Sequence, residues 1–527
     1  MTAIERRDFL RLAAAAGVAA ATAGCNHRSP RPAASSAKPP AAGSAPPSGP
    51  PPSSPPAPTD LTALKKTLGD KLILPSDSRY ATAAQLFDPR FDAIRPAAIA
   101  KCASPDDVAT CLRHAKASGA TFAVRSGGHS YAGYSTSSGL VIDVGPMNAI
   151  TPAKTPSVAR IGAGARLIDV YAKLAAQGVS IPAGSCPTVG VTGLALGGGV
   201  GVVGRKYGLT CDRLTAIELV TADGEQVRCD ANHDADLFWA HRGGGGGNFG
   251  VVTALEFATH RTQPLSYFVL RWDWSRAADV LTAWQGWVAT APDELWSSLH
   301  LDGAASANTT PKIYVNGVHV GPLADLQRLV DQLQAAAKAP MTSRFANLAD
   351  YLRTMMIEGG CADLTLAQCR PRAGGGTLPR GPQLARSDFI AGPLTSSGVG
   401  VVLDGIERRQ RQGLPGGSVL FDACGGAINR VGPTETAFAH RDQLACLQYV
   451  APLLDAKQTQ ANQAWLDRLY ADMRSHVSGY AYQNYIDPQL ADWQHAYYGV
   501  NLGRLRDVKS AYDPDDLFQF AQSIPTR

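Results

Sequence analysis

Arg125-Ser126-Gly127-Gly128-His129-Ser130-Tyr131 and Gly184-Ser185-Cys186-Pro187-Thr188-Val189-Gly190 are two glycine-containing runs of this 527-residue chain. Because glycine carries no side chain, backbone N–H groups in such runs can approach an anionic ligand closely. His129 and Cys186, two nucleophilic side chains, stand among the glycines. A lone histidine or cysteine usually has a structural role. Together, however, the runs predict a large phosphate-bearing cofactor held by covalent bonds.

The chain around these runs alternates between predicted strands and helices. Ser104 suits the N-cap of a helix that starts at Pro105 and ends at Gly119. A second helix is predicted over residues 166–177 and is closed by Gly178. The predicted strands cover residues 96–102, 122–124, 139–144 and 157–161, followed by a hairpin over 217–229. This is an α+β pattern organised around loops.

Two further glycine-rich segments follow. Gly199-Val200-Gly201-Val202-Val203-Gly204 matches the dinucleotide-binding fingerprint, which requires a preceding strand and a following apolar helix. Glycines precede it and Arg205-Lys206-Tyr207-Gly208 interrupts any helix after it, so a nicotinamide site is not predicted. The five glycines from Gly243 to Gly247 are predicted to pack against a ligand, because Phe249 and Val251 provide buried anchors directly afterwards.

The character of the sequence changes at Leu265. Residues 267–274 and 312–318 have strand-like patterns, and amphipathic helices separate such segments. An antiparallel sheet with helices covering one face is therefore predicted for this region, which is expected to bind the substrate.

Length and charge limit the classes of protein that this chain can belong to. At 527 residues the chain is too long for one hydrophobic core, so two domains are expected. No uninterrupted apolar run of about 18 residues is present to span a bilayer. The formal charge is +5, of which +4 lies in residues 1–59. The rest of the chain is therefore close to neutral, and its charge does not indicate nucleic-acid binding.

The N-terminus has the pattern of an export signal. Glu5-Arg6-Arg7-Asp8-Phe9-Leu10-Arg11 precedes a weakly apolar run over residues 12–23. Paired arginines before such a run are typical of the twin-arginine route, which exports proteins already folded. An amphipathic helix is disfavoured because residues 13–23 have no polar face. The protein is therefore expected in the periplasm or at the cell surface.

A spacer and a possible lipid anchor follow. Ala23-Gly24-Cys25 is similar to a lipoprotein processing site, although Thr22 stands where leucine is usual. Twelve of the 36 prolines lie between Pro30 and Pro58, mixed with Ala, Ser and Gly, which predicts an extended disordered linker. A lipid on Cys25 would explain this tether; cleavage at another small residue and release is the alternative.

The two opening runs resemble the flavin-binding part of the berberine bridge enzyme-like oxidases, members of the vanillyl-alcohol oxidase and p-cresol methylhydroxylase (PCMH) superfamily. The resemblance extends from about residue 86 to residue 524, with the motifs in family order. It implies a PCMH-type FAD-binding domain of two subdomains plus an antiparallel-sheet substrate domain. It also implies FAD linked twice, through His129 to the flavin 8α-methyl group and through Cys186 to flavin C6.

The same resemblance supplies a wider set of cofactor-binding residues. They are predicted to be Arg125, Ser126, Gly127, Gly128, Ser130, Val189, Gly190, Gly193, Gly198, Gly250, Val252, Asn484 and Asn501. No metal site is predicted.

The C-terminal part returns to the flavin in this family. Tyr482-Gln483-Asn484-Tyr485-Ile486-Asp487 resembles the closing motif, in which the residue at the position of Tyr485 serves as the catalytic base. The residue matching Asn501 lies near the ring. A tyrosine ionises only near pH 10, so Tyr485 needs a stabilising neighbour, and Gln448 or Tyr482 is predicted to donate that hydrogen bond. Tyr512-Asp513-Pro514 is predicted to start a short last helix.

The activity implied is oxidation of a hydroxyl group on a sugar or on a glycosylated or polycyclic natural product. Hydride would pass to the flavin, and O2 would be the final acceptor, giving H2O2. Oxidative cyclisation or desaturation of a secondary metabolite is the alternative within enzymes. A surface lipoprotein that keeps flavin only as a structural element is the alternative of another class. The sequence does not determine the substrate, the electron acceptor or the oligomeric state.

Domain limits and cysteine usage complete the prediction. Ten cysteines in an exported protein favour disulfides, and the family resemblance implies a bridge between Cys361 and Cys369. The pairing of the others stays open. The predicted segments are a signal with a possible lipobox over 1–25, a linker over 26–59, an FAD-binding domain over 60–264, a substrate domain over 265–475 and a closing segment over 476–527.

Overall fold

The computed structural model describes residues 60–152, 157–306 and 308–527. The predicted export signal, Cys25 and the linker over residues 26–59 lie outside the described residues. No helix in the described part of the chain is long and apolar enough to cross a bilayer.

Most strands of the described residues belong to three larger sheets. The strands are β1 Leu72–Ile73, β2 Ala98–Lys101, β3 Phe122–Arg125, β4 Leu140–Asp143, β5 Ile150–Pro152, β6 Val158–Gly162, β7 Val179–Ser180, β8 Leu214–Val220, β9 Gln226–Asp230, β10 Val251–Ala258, β11 His260–Arg261, β12 Leu265–Trp272, β13 Leu295–Asp302, β14 Lys312–His319, β15 Ser343–Ala349, β16 Gln383–Ile390, β17 Ser418–Ala423 and β18 Ala445–Pro452.

Helices separate and cover these strands. They are α1 Thr62–Leu68, α2 Tyr80–Ala83, α3 Pro105–Ser118, α4 Leu167–Ala175, α5 Val191–Leu196, α6 Gly204–Tyr207, α7 Ala235–Ala240, α8 Ala277–Thr290, α9 Leu323–Ala337, α10 Tyr351–Glu358, α11 Ser396–Arg411, α12 Ala427–Arg430, α13 Thr459–Met473, α14 Trp493–Tyr498 and α15 Leu502–Tyr512.

Two sheets and a short strand pair form the first half of the described chain. One sheet has the order β1-β2-β4-β3, with β2, β4 and β3 parallel. The other is antiparallel and has the order β5-β6-β10-β8-β9, while β7 pairs with β11. The predicted α+β class with two subdomains around the glycine runs is confirmed.

Local sequence signals account for the helices around these sheets. Ser104 accepts a hydrogen bond from the Asp107 backbone N–H in a capping box, and Gly119 ends α3 at φ +66°. In α4 the buried residues recur at helical spacing, as the 166–177 prediction required. The β8–β9 hairpin turns through Gly224 at φ +81°. The Gly199–Gly204 segment follows helix α5 rather than a strand and leads into the four-residue α6, so it lacks both elements that flank a dinucleotide-binding fingerprint.

The third sheet takes the described strands from Leu265 onward. It is antiparallel throughout, with the order β15-β12-β14-β13-β17-β18-β16. Apolar residues of β12 and β17 pack against helices α8, α9, α11 and α13 on one face. Residues of the opposite face, such as Tyr267 and Trp296, pack into the core of the first half. Helices therefore cover one face, and the other faces the glycine runs.

One predicted element is wrong. Tyr512 ends helix α15, and Asp513 and Pro514 begin no helix. The Asp513 carboxylate instead accepts hydrogen bonds from Lys509 and from the backbone N–H groups of Leu517 and Phe518. A proline shortly after a helix end is common because it cannot continue the helix, so the same residues mark a stop here.

Candidate active site

A cavity of about 670 Å³ lies between the glycine runs and the open face of the seven-stranded sheet. Both predicted attachment residues, His129 and Cys186, line it together with the predicted catalytic residues Tyr485, Tyr482 and Gln448. Its size suits a cofactor or a small-molecule ligand. Residues more than 350 positions apart in the chain therefore share one site.

The two glycine runs touch at Gly127 and Gly190. A Cβ atom on Gly127 would lie 2.2 Å from the Gly190 backbone nitrogen, and one on Gly190 would lie 2.5 Å from the Gly127 nitrogen. Neither contact is possible for a real side chain, so glycine is required at both positions. This close approach brings the histidine of one run to the cysteine of the other.

Thr188 joins the two attachment residues. Its Oγ1 lies 2.9 Å from Nε2 of His129 and 3.7 Å from Sγ of Cys186. The His129 ring also stacks on Phe87 with a centroid separation of 4.0 Å and an interplanar angle of 18°. Both nucleophiles are therefore oriented toward the same region of the cavity before any bond to a cofactor forms.

The electrostatic environment keeps His129 neutral. Burial and the nearby charge of Arg166 lower the pKa of His129 from 6.5 to about 3. Arg166 is itself held by a 2.9 Å hydrogen bond from Nη1 to the Thr188 carbonyl oxygen. A neutral imidazole keeps a lone pair for bonding to an electrophilic carbon at ordinary pH.

The cavity wall has the features that a flavin dinucleotide needs. A Cβ atom on Gly193 would meet nothing within 4 Å, and one on Gly246 would meet only the Leu196 side chain, at 3.7 Å. Both residues line the cavity, so glycine there leaves backbone exposed for a ligand to contact. The lining residues fit FAD, because the glycines leave room for the dinucleotide and the two nucleophilic side chains can bond to the flavin ring.

Most of the predicted cofactor-binding residues are brought to this cavity. Those that line it are Ser126, Gly127, Gly128, His129, Ser130, Cys186, Val189, Gly190, Gly193, Gly250, Val252 and Asn484.

Three of the predicted residues, Arg125, Gly198 and Asn501, are not among those that line the cavity. Arg125 is 4% exposed and forms an ion pair with Asp143. Gly198 abuts the Phe438 ring, which a Cβ atom would approach to 2.6 Å. Asn501 is 2% exposed, and its amide donates to backbone carbonyl groups including that of Pro433. All three residues are buried outside the cavity lining.

Tyr485 stands in a group of phenols. Its ring is parallel to that of Tyr131, with centroids 5.5 Å apart, and perpendicular to that of Tyr482, with centroids 5.0 Å apart. Burial, followed by the proximity of Asp422 and Tyr131, raises the pKa of Tyr485 well above its ordinary value. The phenol of Tyr485 is therefore protonated in the resting site.

The two predicted hydrogen-bond donors to Tyr485 act elsewhere, which corrects that part of the prediction. Gln448 Nε2 donates to the Tyr131 hydroxyl at 3.0 Å. The Tyr482 hydroxyl accepts from the backbone N–H groups of Gly199 and Val200 at 3.0 and 3.1 Å and from Asn484 at 2.8 Å. Burial raises the pKa of Tyr482 despite these donors, so its hydroxyl stays protonated. Tyr482 therefore holds the 199–200 loop by accepting hydrogen bonds from its backbone N–H groups.

Of the residues that the seven-stranded sheet contributes to the cavity wall, the sequence analysis named only Gln448. Trp296, Ser298 and His300 alternate along β13 and all line the cavity, opposite Asn316 of β14 and Asp422 of β17. The alternation of polar residues along a strand flanked by apolar ones was a usable signal. Their position beside Tyr485, by contrast, depends on strand pairing that no local pattern specifies.

The C-terminal tail forms another part of the wall. Residues 518–522 line the cavity beside the five-glycine loop. Lys509 is fully buried and donates to the carbonyl oxygens of Asn248 and Phe518 and to Asp513. The Ile524 backbone N–H donates to Asn248 Oδ1 at 2.9 Å. One lysine therefore connects the tail to the loop that follows the glycines.

Comparison with known proteins supports the identification made from the motifs. Residues 96–230 match the FAD binding domain family, and residues 481–525 match the family described as berberine and berberine like. The FAD-linked oxidoreductase YgaK of Bacillus subtilis is 33% identical over 436 residues, covering 82% of this chain and 91% of that protein. The aclacinomycin-N/aclacinomycin-A oxidase of Streptomyces galilaeus is 30% identical, covering 82% and 85%.

A related carbohydrate oxidase and a related solved structure extend the comparison. Chitooligosaccharide oxidase of Gibberella zeae is 29% identical, covering 81% of this chain and 87% of that protein. The structure of Physcomitrella patens BBE-like 1 has 30% identity and a TM-score of 0.81, and the match covers 89% of this chain and 100% of that chain. These matches extend over most of the chain, and the two glycine-containing runs line the cavity as the family motif implies. The chain belongs to the berberine bridge enzyme-like family of FAD-linked oxidoreductases.

Proposed function

We propose that this enzyme oxidises a hydroxyl group of a carbohydrate or of a glycosylated or polycyclic metabolite, with FAD linked covalently to both His129 and Cys186. FAD, when bound, accepts a hydride and passes the electrons to O2, which becomes H2O2. The observation that carries the proposal is the joint placement of a neutral imidazole and a thiol, 2.9 and 3.7 Å from one threonine hydroxyl, on the wall of a cavity whose opposite wall is polar.

Relatives favour a hydroxyl-bearing substrate. Two related proteins are a chitooligosaccharide oxidase and an aclacinomycin-N/aclacinomycin-A oxidase, and the first of these acts on a sugar oligomer. The cavity wall agrees with this class, because amide and hydroxyl side chains such as Asn316, Ser298 and Gln448 face it. Such groups bind hydroxyl groups by hydrogen bonds and give a site its specificity.

The protein residues have separate tasks in this proposal. A hydroxyl proton must leave as the adjacent C–H bond breaks, so a base must lie within hydrogen-bonding reach of that hydroxyl. We assign this position to Tyr485, with Tyr131 stacked against it and Gln448 orienting the Tyr131 hydroxyl. Tyr482 holds the 199–200 backbone and Asn484, so its task is positioning.

Acid precipitation of the purified enzyme tests the covalent links. We expect a yellow pellet from the wild type and from His129→Ala and Cys186→Ala alone, because one link survives in each. The double variant should give a colourless pellet and a yellow supernatant. A colourless wild-type pellet would exclude covalent attachment.

A substrate panel tests the reaction. Neutral and charged oligosaccharides and glycosylated aromatic compounds are mixed with the oxidised enzyme without oxygen, and loss of the flavin absorbance is followed. Bleaching accompanied by one carbonyl group in the product, and H2O2 release when air is admitted, would support hydroxyl oxidation. A new ring or a carbon–carbon double bond in the product would favour cyclisation or desaturation, and no bleaching by any compound would favour a non-catalytic binding protein.

A further inference from the structure

Within the described part of the chain, the cavity wall carries two carboxyl groups and no cationic side chain. Two carboxyl groups, those of Glu358 and Asp422, are among the lining residues, and the lining residues that the structure describes include neither lysine nor arginine. From outside the lining, the charges of Arg353, Arg271 and Arg166 act on Tyr267, Tyr314 and His129. A ligand that enters this part of the cavity therefore meets an acidic wall.

Strand pairing places the two carboxyls on one patch. Asn316 of β14, Ser298 of β13 and Asp422 of β17 occupy one row across three neighbouring strands. Asn316 Nδ2 donates to Glu358 Oε2 at 3.0 Å, which fixes the helix-borne Glu358 at the end of the row opposite Asp422. Two strand spacings make the row about 10 Å long, which is about the length of two linked sugar rings.

The contacts that these carboxyls make are with neutral groups. Glu358 has Asn316 as its hydrogen-bond partner, and Asp422 interacts with Ser298. Burial raises the pKa of Asp422 to about 6, and burial together with repulsion by Asp422 brings the pKa of Glu358 to about 7. Such shifts mean that ionising both carboxyls is costly until a cation arrives.

A second observation shows that the patch is prepared for a ligand with hydroxyl groups. The indole N–H of Trp296, a residue that is 7% exposed and lines the cavity, has no hydrogen-bond partner. A buried donor of this kind is normally satisfied, so it calls for an acceptor from a bound molecule. Tyr267 and the stacked pair His300–Tyr314, with centroids 4.4 Å apart, add ring faces that favour cations.

We infer that the substrate selected by this cavity carries a protonated amine as well as hydroxyl groups, and that Glu358 and Asp422 recognise the amine. This inference rests on the proposed function, within which it narrows the substrate class to amino sugars or compounds bearing them. A neutral sugar would also hydrogen-bond to the carboxyls, but only a cation offsets the cost of ionising them in a partly buried site.

Three disaccharides of matched length test the inference on the full holoenzyme. Chitobiose, the glucosamine dimer, differs from cellobiose by an ammonium in place of one hydroxyl group on each ring, and N,N′-diacetylchitobiose has the same nitrogens without the charge. We expect chitobiose to bind at least 10-fold more tightly than either neutral compound in anaerobic calorimetry, and to give the highest kcat/KM for H2O2 release. Added salt should narrow the difference.

Variants identify the groups responsible. Glu358→Gln and Asp422→Asn should each reduce the preference for chitobiose over cellobiose to about 3-fold or less. Asp302→Asn is the matched control, since Asp302 is a buried carboxyl on β13 outside the cavity lining, and the preference should persist. Equal or tighter binding of cellobiose, or a preference that survives both cavity variants, would overturn the inference.

Failure of the proposed function gives a different result. If none of the three sugars binds or bleaches the flavin, sugar oxidation is excluded, and benzylamine and benzyl alcohol then report on charge alone. If benzylamine binds more tightly than benzyl alcohol, and Glu358→Gln and Asp422→Asn abolish that difference, the two carboxyls recognise an amine but the substrate is not a sugar. Equal binding of the two, or no binding of either, would overturn amine recognition as well.

Discussion

Tyr485 faces a wall of phenols and carboxyls, and this environment determines how it can act. Burial and the neighbouring Asp422 and Tyr131 disfavour its ionised form. A protonated phenol can accept the substrate's hydroxyl proton only if its own proton passes at the same time to a neighbouring acceptor, and Asp422 is the carboxyl that acts on it. The hydroxyl oxygen of Tyr485 must therefore be present for turnover even though folding does not require it.

Tyr485→Phe should therefore retain bound flavin and lose most activity. Removing a general base costs about 10²- to 10⁴-fold in kcat. Stopped-flow measurement of flavin reduction checks this directly, and Tyr131→Phe is the control, because its ring stacks on Tyr485 while its hydroxyl is bonded to Gln448. Tyr131→Phe should lose less activity than Tyr485→Phe. Full activity in Tyr485→Phe would remove Tyr485 from the base position.

Asp302 provides a prediction on pH and stability. Burial raises its pKa from 3.8 to about 6, against the opposing effects of Ser418 and Lys312. The folded state therefore holds this proton over a range where the unfolded state has lost it, and stability falls as pH rises from about 4 to about 6.

Asp302→Asn cannot ionise and should escape this loss. At pH 8 the free energy of unfolding of the variant should exceed that of the wild type by up to about 3 kcal/mol, and the variant should unfold at a higher temperature. Near pH 4 this gain should vanish. Thermal unfolding at the two pH values measures it. An equal gain at both pH values would contradict burial as the cause.

Single residues also show what the sequence could and could not predict. His129 and Cys186 were identified because their glycine-rich surroundings are local in the chain. Glu358 and Asp422 were missed because they face the cavity only through helix placement and strand register. Gln448 was identified, but its partner was wrong: which of several phenols it contacts is decided by tertiary packing.

At the scale of elements, the disulfide between Cys361 and Cys369 follows directly after helix α10, which bears Glu358. The bridge that the family resemblance implied is confirmed. Arg370, next to the bridge, forms an ion pair with Asp169 of helix α4. The bridge thus stiffens the connection between the helix that carries an acidic cavity residue and the helix beside the cysteine-containing run.

Replacing both cysteines with alanine should lower stability by about 2–3 kcal/mol, because closing a loop of this length restricts the unfolded chain by about that amount. Thermal unfolding with and without a reductant measures the effect. Reductant should lower the melting temperature of the wild type toward that of the double variant and leave the variant unchanged. A wild type insensitive to complete reduction would contradict the prediction.

Elements with local boundary signals were predicted well, and those without were not. Helix α3 has a capping box at one end and a left-handed glycine at the other, so its limits are encoded within its own residues. The turn at Gly224 likewise fixes the β8–β9 hairpin. Tyr512-Asp513-Pro514 was wrong because the same residues suit a helix start or a helix stop, and the buried Lys509 decides between them.

The order of the seven-stranded sheet belongs to the whole molecule. Strands β13 and β17 pair although more than 110 residues separate them, and no local pattern indicates that pairing. The helix-covered face and the antiparallel class could be predicted from the alternation of apolar residues, but the identity of the residues opposite the glycine runs could not.

We propose that the complete protein is exported in its folded, flavin-loaded state by the twin-arginine route. Changing Arg6 and Arg7 to lysine should leave yellow, active enzyme in the cytoplasm, whereas the wild type should appear outside it. Cell fractionation with an activity assay measures this, and Cys25→Ala separates a lipid anchor from free release. Unchanged export of the double-lysine variant would exclude the route.

The tail that lines the cavity has a consequence for biosynthesis. Residues 518–522 complete the wall, and the Ile524 backbone holds Asn248 beside the five-glycine loop. The flavin site is therefore complete only when residues 518–524 have folded against the glycine loop, so cofactor insertion must follow that docking step. A chain cut before Phe518 should lack this part of the wall and hold flavin poorly.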